Sequence, residues 1–221
     1  LLAPAAADLF ERLGAAACVV GVTNGVDNFP AAAKVGTHLN PGIEKTASLR
    51  PGLIVAASRL NPELAGRMGA ELFVYEPQSL EEIISLVRLL SGKIGRPEQG
   101  NALAGELRAV LDGLTPPARR PTVLYETRSA PLSLAGADSV TRDLLERAGV
   151  RYAHPGNSGL TAVEYLLHNQ PDFYLYQEGP MNRNPLPPKD RPGWGNFRAC
   201  AWKVDEFAFA RPNTGLFETA L

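Results

Sequence analysis

The chain has 221 residues, 45% of them hydrophobic and 20% charged, with a formal net charge of -1. This is the composition of a globular protein rather than of a disordered chain, and it offers no basic excess to neutralise nucleic-acid phosphates. No run approaches the ~20 apolar residues of a membrane helix, and two distant cysteines, Cys18 and Cys200, outside any CxxC spacing, argue against a disulfide framework or a cysteine zinc site.

The chain opens at Leu1-Leu2-Ala3-Pro4 without an initiator Met and reads as a mature or trimmed form, so the lack of a visible signal peptide carries no weight. Leu9 to Ala17 reads as a short helix ending near Gly14. CVVGVTN (Cys18–Asn24) follows, a β-branched run that ends in a polar loop. Asn40 is placed to cap a helix with Pro41 at its first position, and that helix must stop before Pro51. LIVAA (Leu53–Ala57) is the next buried strand, a helix covers Leu64–Gly69, and ELFVYEP (Glu71–Pro77) is a further strand.

Ser79 and Glu82 have capping-box spacing, and Leu80, Ile83, Ile84, Val87 and Ile94 recur behind them at helical spacing. A second helix, from about Pro97 to Leu114, places Leu103, Leu107, Val110, Leu111 and Leu114 on one stripe. Two helices in succession break the βα alternation and predict a link between two lobes. The predicted parts are an amino-terminal lobe over 1–95, a connecting helix over 96–116 and a carboxy-terminal lobe over 117–221.

The alternation then restarts. PTVLYETRS (Pro121–Ser129) is a strand, Asp138 or Ser139 caps a helix running to Gly149, and DFYLYQEG (Asp172–Gly179) is another strand. The stretch 181–196 is rich in Pro, Gly and Arg and has the length of a functional loop.

One internal comparison carries particular weight. IEKTASLRPGLIVA, from Ile43, aligns with VEYLLHNQPDFYLY, from Val163. Glu44 falls on Glu164, Pro51 on Pro171, and the apolar positions agree. Each segment is a short helix, a Pro that ends it and a buried strand. Chance reuse of a common βα unit is the competing explanation. Two similar α/β lobes would bind a ligand beyond the carboxyl ends of their strands, in a cleft between lobes.

VVGVTN…FPAAAKVG…LNPGIEKTASLRPGLIVA resembles the first lobe of the class III periplasmic binding proteins of ABC importers, the ferric-siderophore, heme and vitamin B12 binders. PTVLYET…SLAGADSVTRDLLERAGV, VEYLLHNQPDFYLY and WKVDEFAFARPNTGLFETAL resemble the second lobe and its closing segment. The resemblance implies two Rossmann-like α/β lobes joined by a long backbone helix. It also implies a monomeric extracytoplasmic protein, periplasmic or lipid-anchored, that hands a metal chelate to the ABC permease of the inner membrane. The family's usual first strand is missing before Leu1, and the loop 181–196 matches no family pattern. In such proteins an acidic residue on each lobe docks with the permease. The NPEL segment points to Glu63, and Glu178 is the second candidate.

The ligand candidates are strand-end residues. On the first lobe they are Asn24, Ser58, Arg59 and Tyr75; on the second, Tyr125, Arg128, Tyr176, Arg183 and Arg211. Arginine offers a rigid donor fork to carboxylate, catecholate or phosphate, and tyrosine a flat face with a hydroxyl. The ARP segment gives Arg211 added support from the resemblance. Trp194 and Trp202 either stack on a planar ligand or pack in the protein. The expected cargo is a ferric siderophore or a corrinoid, with no resident cofactor.

Three scattered histidines, His38, His154 and His168, lack metal-site spacing, which weighs against a direct divalent-metal binder. The enzyme alternative is a tetrapyrrole chelatase, with His38, Glu76 or Glu126 as base or ligand. No nucleophile elbow, Walker loop or GxGxxG is present, so a non-enzyme is expected.

Overall fold

The computed structural model describes residues 1–57, 60, 62–154 and 163–221, apart from the side chain of residue 64. The chain divides into two compact units. Unit 1 comprises Leu1–Pro77, Glu81–Arg108 and Pro212–Thr214; unit 2 comprises Gln78–Leu80, Ala109–Arg211 and Gly215–Leu221. The helix α5 (Pro97–Gly113) passes from one unit to the other at Arg108, and the carboxy-terminal segment returns briefly to unit 1.

In unit 1, α1 (Ala7–Arg12) is followed by β1 (Gly21–Val22), β2 (Ala33–Lys34), α2 (Ile43–Ser48), β3 (Leu53–Ala56), α3 (Pro62–Arg67), β4 (Glu71–Val74) and most of α4 (Leu80–Lys93). β1 pairs with β2 and β3 with β4, both in parallel, as two separate two-stranded sheets. Leu2, Val35, Ile54, Ala56, Ala65 and Met68 form one of its buried clusters. Burying each large apolar side chain contributes roughly 1.5–3 kcal/mol. The helix predicted from Pro41 starts two residues later, with Gly42 at its N-cap. Asn40 is committed to a turn instead, its amide bonded to Thr37 Oγ1 at 3.0 Å and its carbonyl to the Thr37 amide at 3.2 Å.

Unit 2 is built on one continuous sheet. β5 (Thr122–Ser129) turns back into the short antiparallel β6 (Leu132–Leu134) and lies parallel to β7 (Arg151–Tyr152) and β8 (Phe173–Glu178); β8 in turn pairs in parallel with β9 (Cys200–Asp205). Helices α6 (Val140–Arg147), α7 (Val163–His168), α8 (Glu206–Phe209) and α9 (Leu216–Thr219) complete the unit. Four consecutive residues are buried in each of β5 and β8, the pattern of parallel strands covered on both faces. Ser139 caps α6 as expected, accepting from the Arg142 amide. Gly149 ends that turn at φ +88°, and a Cβ there would lie 2.1 Å from Pro117 Cδ, so glycine is required.

The internal repeat is seen element by element. α7 begins 120 residues after α2, and β8 begins 120 residues after β3. Each strand then pairs in parallel with a strand that follows it in sequence, β9 for β8 and β4 for β3.

Candidate functional site

Parallel strands aim all their carboxyl ends the same way, so each unit has one rim where loops and helix starts gather. In unit 2 this rim lies beyond β8 and β9, whose last residues, Glu178 and Asp205, are register partners. Asp205 Oδ1 accepts from the amides of Phe207 at 2.7 Å and Ala208 at 3.1 Å, which turns the chain directly into α8. Glu206, the next residue, is fully buried. Its Oε1 accepts from Arg211 Nε at 3.0 Å and Nη2 at 2.8 Å, and its Oε2 accepts from the Met181 amide at 2.8 Å. A Cβ on Gly179 would lie 2.4 Å from the Glu206 Cβ, so only glycine allows this approach.

The result is a fixed arginine. The Arg211 guanidinium is held by Glu206 and lies 4.8 Å above the ring of Phe207. Phe207 and Met181 are each about half exposed, at 53% and 52%. A cation, an aromatic face and a thioether therefore meet solvent beside a buried carboxylate that cannot itself reach it. Arg128 and Arg183 are exposed as well.

A second buried ion pair fastens the loop 181–196. Glu126 is fully buried on β5, and Arg191 grips it bidentately, Nη2 to Oε1 at 3.0 Å. Tyr174 donates its hydroxyl to Glu126 Oε2, and Asn182 Nδ2 donates to Oε1 at 3.3 Å. Asn182 also accepts from the amide and hydroxyl of Ser129. The Arg191 guanidinium lies 4.8 Å from the Trp194 ring and 5.6 Å from that of Tyr176. The loop is thus an anchored part of unit 2.

Three of the expected ligand residues are buried by this packing. Tyr125 is fully buried and donates its hydroxyl to Gln177 Oε1 at 3.0 Å. Tyr176 is buried beneath Arg191. Tyr75 is 2% exposed, and its hydroxyl donates to the Pro212 carbonyl at 2.7 Å. Burial holds the Tyr75 and Tyr125 phenols above their ordinary pKa. Tyr125 and Tyr176 are core residues, because β5 and β8 are covered on both faces and have no solvent side there; Tyr75 is buried just beyond β4 with its hydroxyl on Pro212. Trp194 is buried too, while Trp202 is 55% exposed with its ring 5.1 Å from Phe173.

In unit 1 the rim carries fewer expected residues. Asn24 is exposed in the loop after β1, its amide bonded to the Gly36 carbonyl. The neighbouring Thr23 is buried with its Oγ1 unpartnered. His38 is exposed in the tight loop that Gly36 and Pro41 close. Ser58 and Arg59 lie outside the described residues. Of the docking candidates, Glu63 is exposed in the first turn of α3. Glu178 pairs with Lys203 Nζ at 2.8 Å, and the carboxylate holds that ammonium above its ordinary pKa.

For the alternatives, Glu126 is bound to Arg191 inside the core and is not presented as a base. Among the described residues no three His, Cys, Asp or Glu side chains are grouped so as to hold a metal ion, and no helix is long and apolar enough to cross a membrane. Both cysteines are free and exposed. Sequence reasoning missed Glu206, Phe207, Arg191 and Asn182. Arg191 and Asn182 have no local motif because their partner Glu126 lies on another element, whereas Glu206 and Phe207 stand within five residues of Arg211.

No protein-family model and no curated protein matches the sequence. Solved structures match it over nearly its whole length. S. aureus IsdE complexed with heme aligns with a TM-score of 0.81 at 17% identity, covering 100% of this chain and 94% of that one. An ABC transporter substrate-binding protein from Listeria monocytogenes aligns at 0.80 and 17%, covering 98% and 92%. The periplasmic vitamin B12 binding protein BtuF of Vibrio cholerae aligns at 0.74 and 19%, covering 99% and 91%. The chain therefore has the α/β fold of the periplasmic binding proteins of ABC importers, as the resemblance in its sequence implies.

Proposed function

We propose that this chain is the extracytoplasmic solute-binding protein of an ABC importer and that its cargo is a metal chelate bearing anionic groups. The observation that carries the reading is the Arg211–Phe207 shelf on the strand-end rim of unit 2. There a guanidinium fixed by buried Glu206 stands beside an exposed aromatic face. A flat, partly apolar ligand with a carboxylate or catecholate edge meets both requirements at once: the ring and Met181 cover its face, and Arg211 pairs with its charge. Structural neighbours named for heme and for vitamin B12 share the fold and support a chelate of that size. A ferric siderophore fits the same charge pattern.

In this reading the protein makes and breaks no bond. It acts as a monomer in the periplasm or tethered outside the membrane, and it delivers cargo to a membrane permease, with Glu63 and Glu178 as the acidic docking residues. Ligand binding shifts conformational populations only as far as its differential affinity allows.

The test is a titration of the purified protein with heme, cobalamin, cobinamide, ferric siderophores and free divalent metals, following the fluorescence of Trp202 and Trp194. Saturable binding of one chelate class at micromolar affinity or tighter supports the reading and names the cargo. Binding of free metal alone, or of a metal-free tetrapyrrole alone, overturns it.

A further inference from the structure

One short turn ties together the two buried carboxylates of unit 2, Glu126 and Glu206. Gly179 and Asn182 close it with a pair of backbone bonds, the Gly179 amide to the Asn182 carbonyl at 3.2 Å and the Asn182 amide to the Gly179 carbonyl at 3.1 Å. Its last two residues face different carboxylates. The Met181 amide donates to Glu206 Oε2 at 2.8 Å, and Asn182 Nδ2 donates to Glu126 Oε1 at 3.3 Å.

Asn182 has every side-chain hydrogen-bonding position filled. Its Oδ1 accepts from the Ser129 amide at 3.0 Å and the Ser129 hydroxyl at 2.8 Å, and its Nδ2 donates to the Gln177 carbonyl at 2.9 Å as well as to Glu126. Two lone pairs and two N–H groups are all that an amide side chain offers. The residue is 4% exposed, so water cannot replace a lost partner cheaply. β5 and β8 thereby give the turn a single position.

That position decides how Glu206 holds Arg211. Oε2 receives the Met181 amide, and Oε1 receives both Nε and Nη2 of Arg211. A Cβ on Gly179 would lie 2.6 Å from Oε2, so the turn also packs directly on the carboxylate. With its Nε–Nη2 edge towards Glu206, the guanidinium has its Nη1 end turned away from that carboxylate and lies over the Phe207 ring.

We propose that Asn182 is a positioning residue of the cargo shelf. It holds the Met181 amide on Glu206, and Glu206 in turn holds the Arg211 guanidinium in one geometry over Phe207. The proposal rests on the reading that Arg211 meets the cargo. Without Asn182, Oε2 loses its donor, the carboxylate turns about its last bond, and the Arg211 Nε–H bond is made only part of the time.

Hydrogen exchange at arginine Nε–H groups, read by NMR, tests the positioning without any cargo. Asn182→Ala is expected to speed exchange at Arg211 about tenfold or more, and Ser129→Ala, which removes one bond to Asn182, about threefold. The Arg147 Nε–H, bonded to Asp143 on α6, is the reference and stays unchanged in both. Equal acceleration at both arginines would mean general loosening and would overturn the role. Should Asn182→Ala not fold, Ser129→Ala carries the comparison. The second arm measures affinity for the chelate that wild type binds best. Asn182→Ala is expected to lose about tenfold, and to lose nothing further when added to Arg211→Ala. An Arg211→Ala variant of unchanged affinity, or no saturable chelate binding by wild type, ends the cargo reading and with it any cargo role for Asn182, while the exchange arm still shows whether Asn182 fixes Arg211. If Arg211→Ala loses affinity while Asn182→Ala, or Ser129→Ala in its place, changes neither Arg211 exchange nor affinity, the cargo reading stands and Asn182 is not a positioning residue.

Discussion

The two units contain the same helix–Pro–strand element at a constant offset, yet they use it differently. In unit 2 its strand, β8, is central, with β5 on one edge and β9 on the other. In unit 1 its counterpart, β3, has one strand partner, β4, among the described residues, and its other edge accepts from the amides of Leu2 and Ala3. The comparison separates what the repeat dictates from what its neighbours dictate. The local element forms in both places, because a proline ends the helix and a β-branched or aromatic run follows it. Sheet continuity depends on the strand that stands beside it.

The largest expected effect lies in unit 2. Arg191→Ala leaves Glu126 as an unpaired charge in the core and is expected to destabilise the protein by about 3–5 kcal/mol in denaturant unfolding. The paired replacement Glu126→Leu with Arg191→Met is expected to recover most of that loss, since it removes both charges together. A single variant of wild-type stability would mean that the pair does not hold the loop.

Hydrogen exchange compares the two strands directly. Amides of Tyr174–Gln177 in β8 are expected to exchange at least about tenfold more slowly than those of Ile54–Ala56 in β3, because an edge strand opens more readily. Equal protection would remove the distinction between the units. The smallest effect belongs to Asp172, which accepts from the amide and hydroxyl of Thr122 and is held below its ordinary pKa first by that amide bond. Its contribution is present above the ordinary carboxylate range and is lost as pH falls through it. Asp172→Asn should therefore lower Tm slightly at pH 7 and match wild type in acid.

The long elements were legible because each contains a continuous apolar run or a clear helical stripe: α4, α5, β3, β5 and β8 fall where the pattern puts them. β9 was not legible. Its residues are mostly exposed or half-buried, so CAWKVD has no apolar alternation to mark it, and it is a strand because β8 offers an open edge. β1, β2 and β7 are two-residue strands, too short for any periodicity. Of the strand-end residues, Tyr75, Tyr125 and Tyr176 are buried. A β-strand covered on both faces buries every side chain regardless of parity, and the sequence does not say how many faces are covered. The Glu126–Arg191 and Glu206–Arg211 pairs differ instructively. The second spans five residues, close enough to Arg211 to be found by inspection, whereas the first spans 65 and depends on the fold.

The central claim is that the rim of unit 2 holds an anionic metal chelate through Arg211. It is tested most directly by titrating wild type and Arg211→Ala with heme and with the best-binding ferric siderophore, with circular dichroism to confirm that both proteins are folded. The account predicts saturable binding to wild type and an affinity loss of about tenfold or more in the variant, the scale of one charge-assisted contact. Equal affinities in two folded proteins, or no saturable binding of any chelate by wild type, would contradict it.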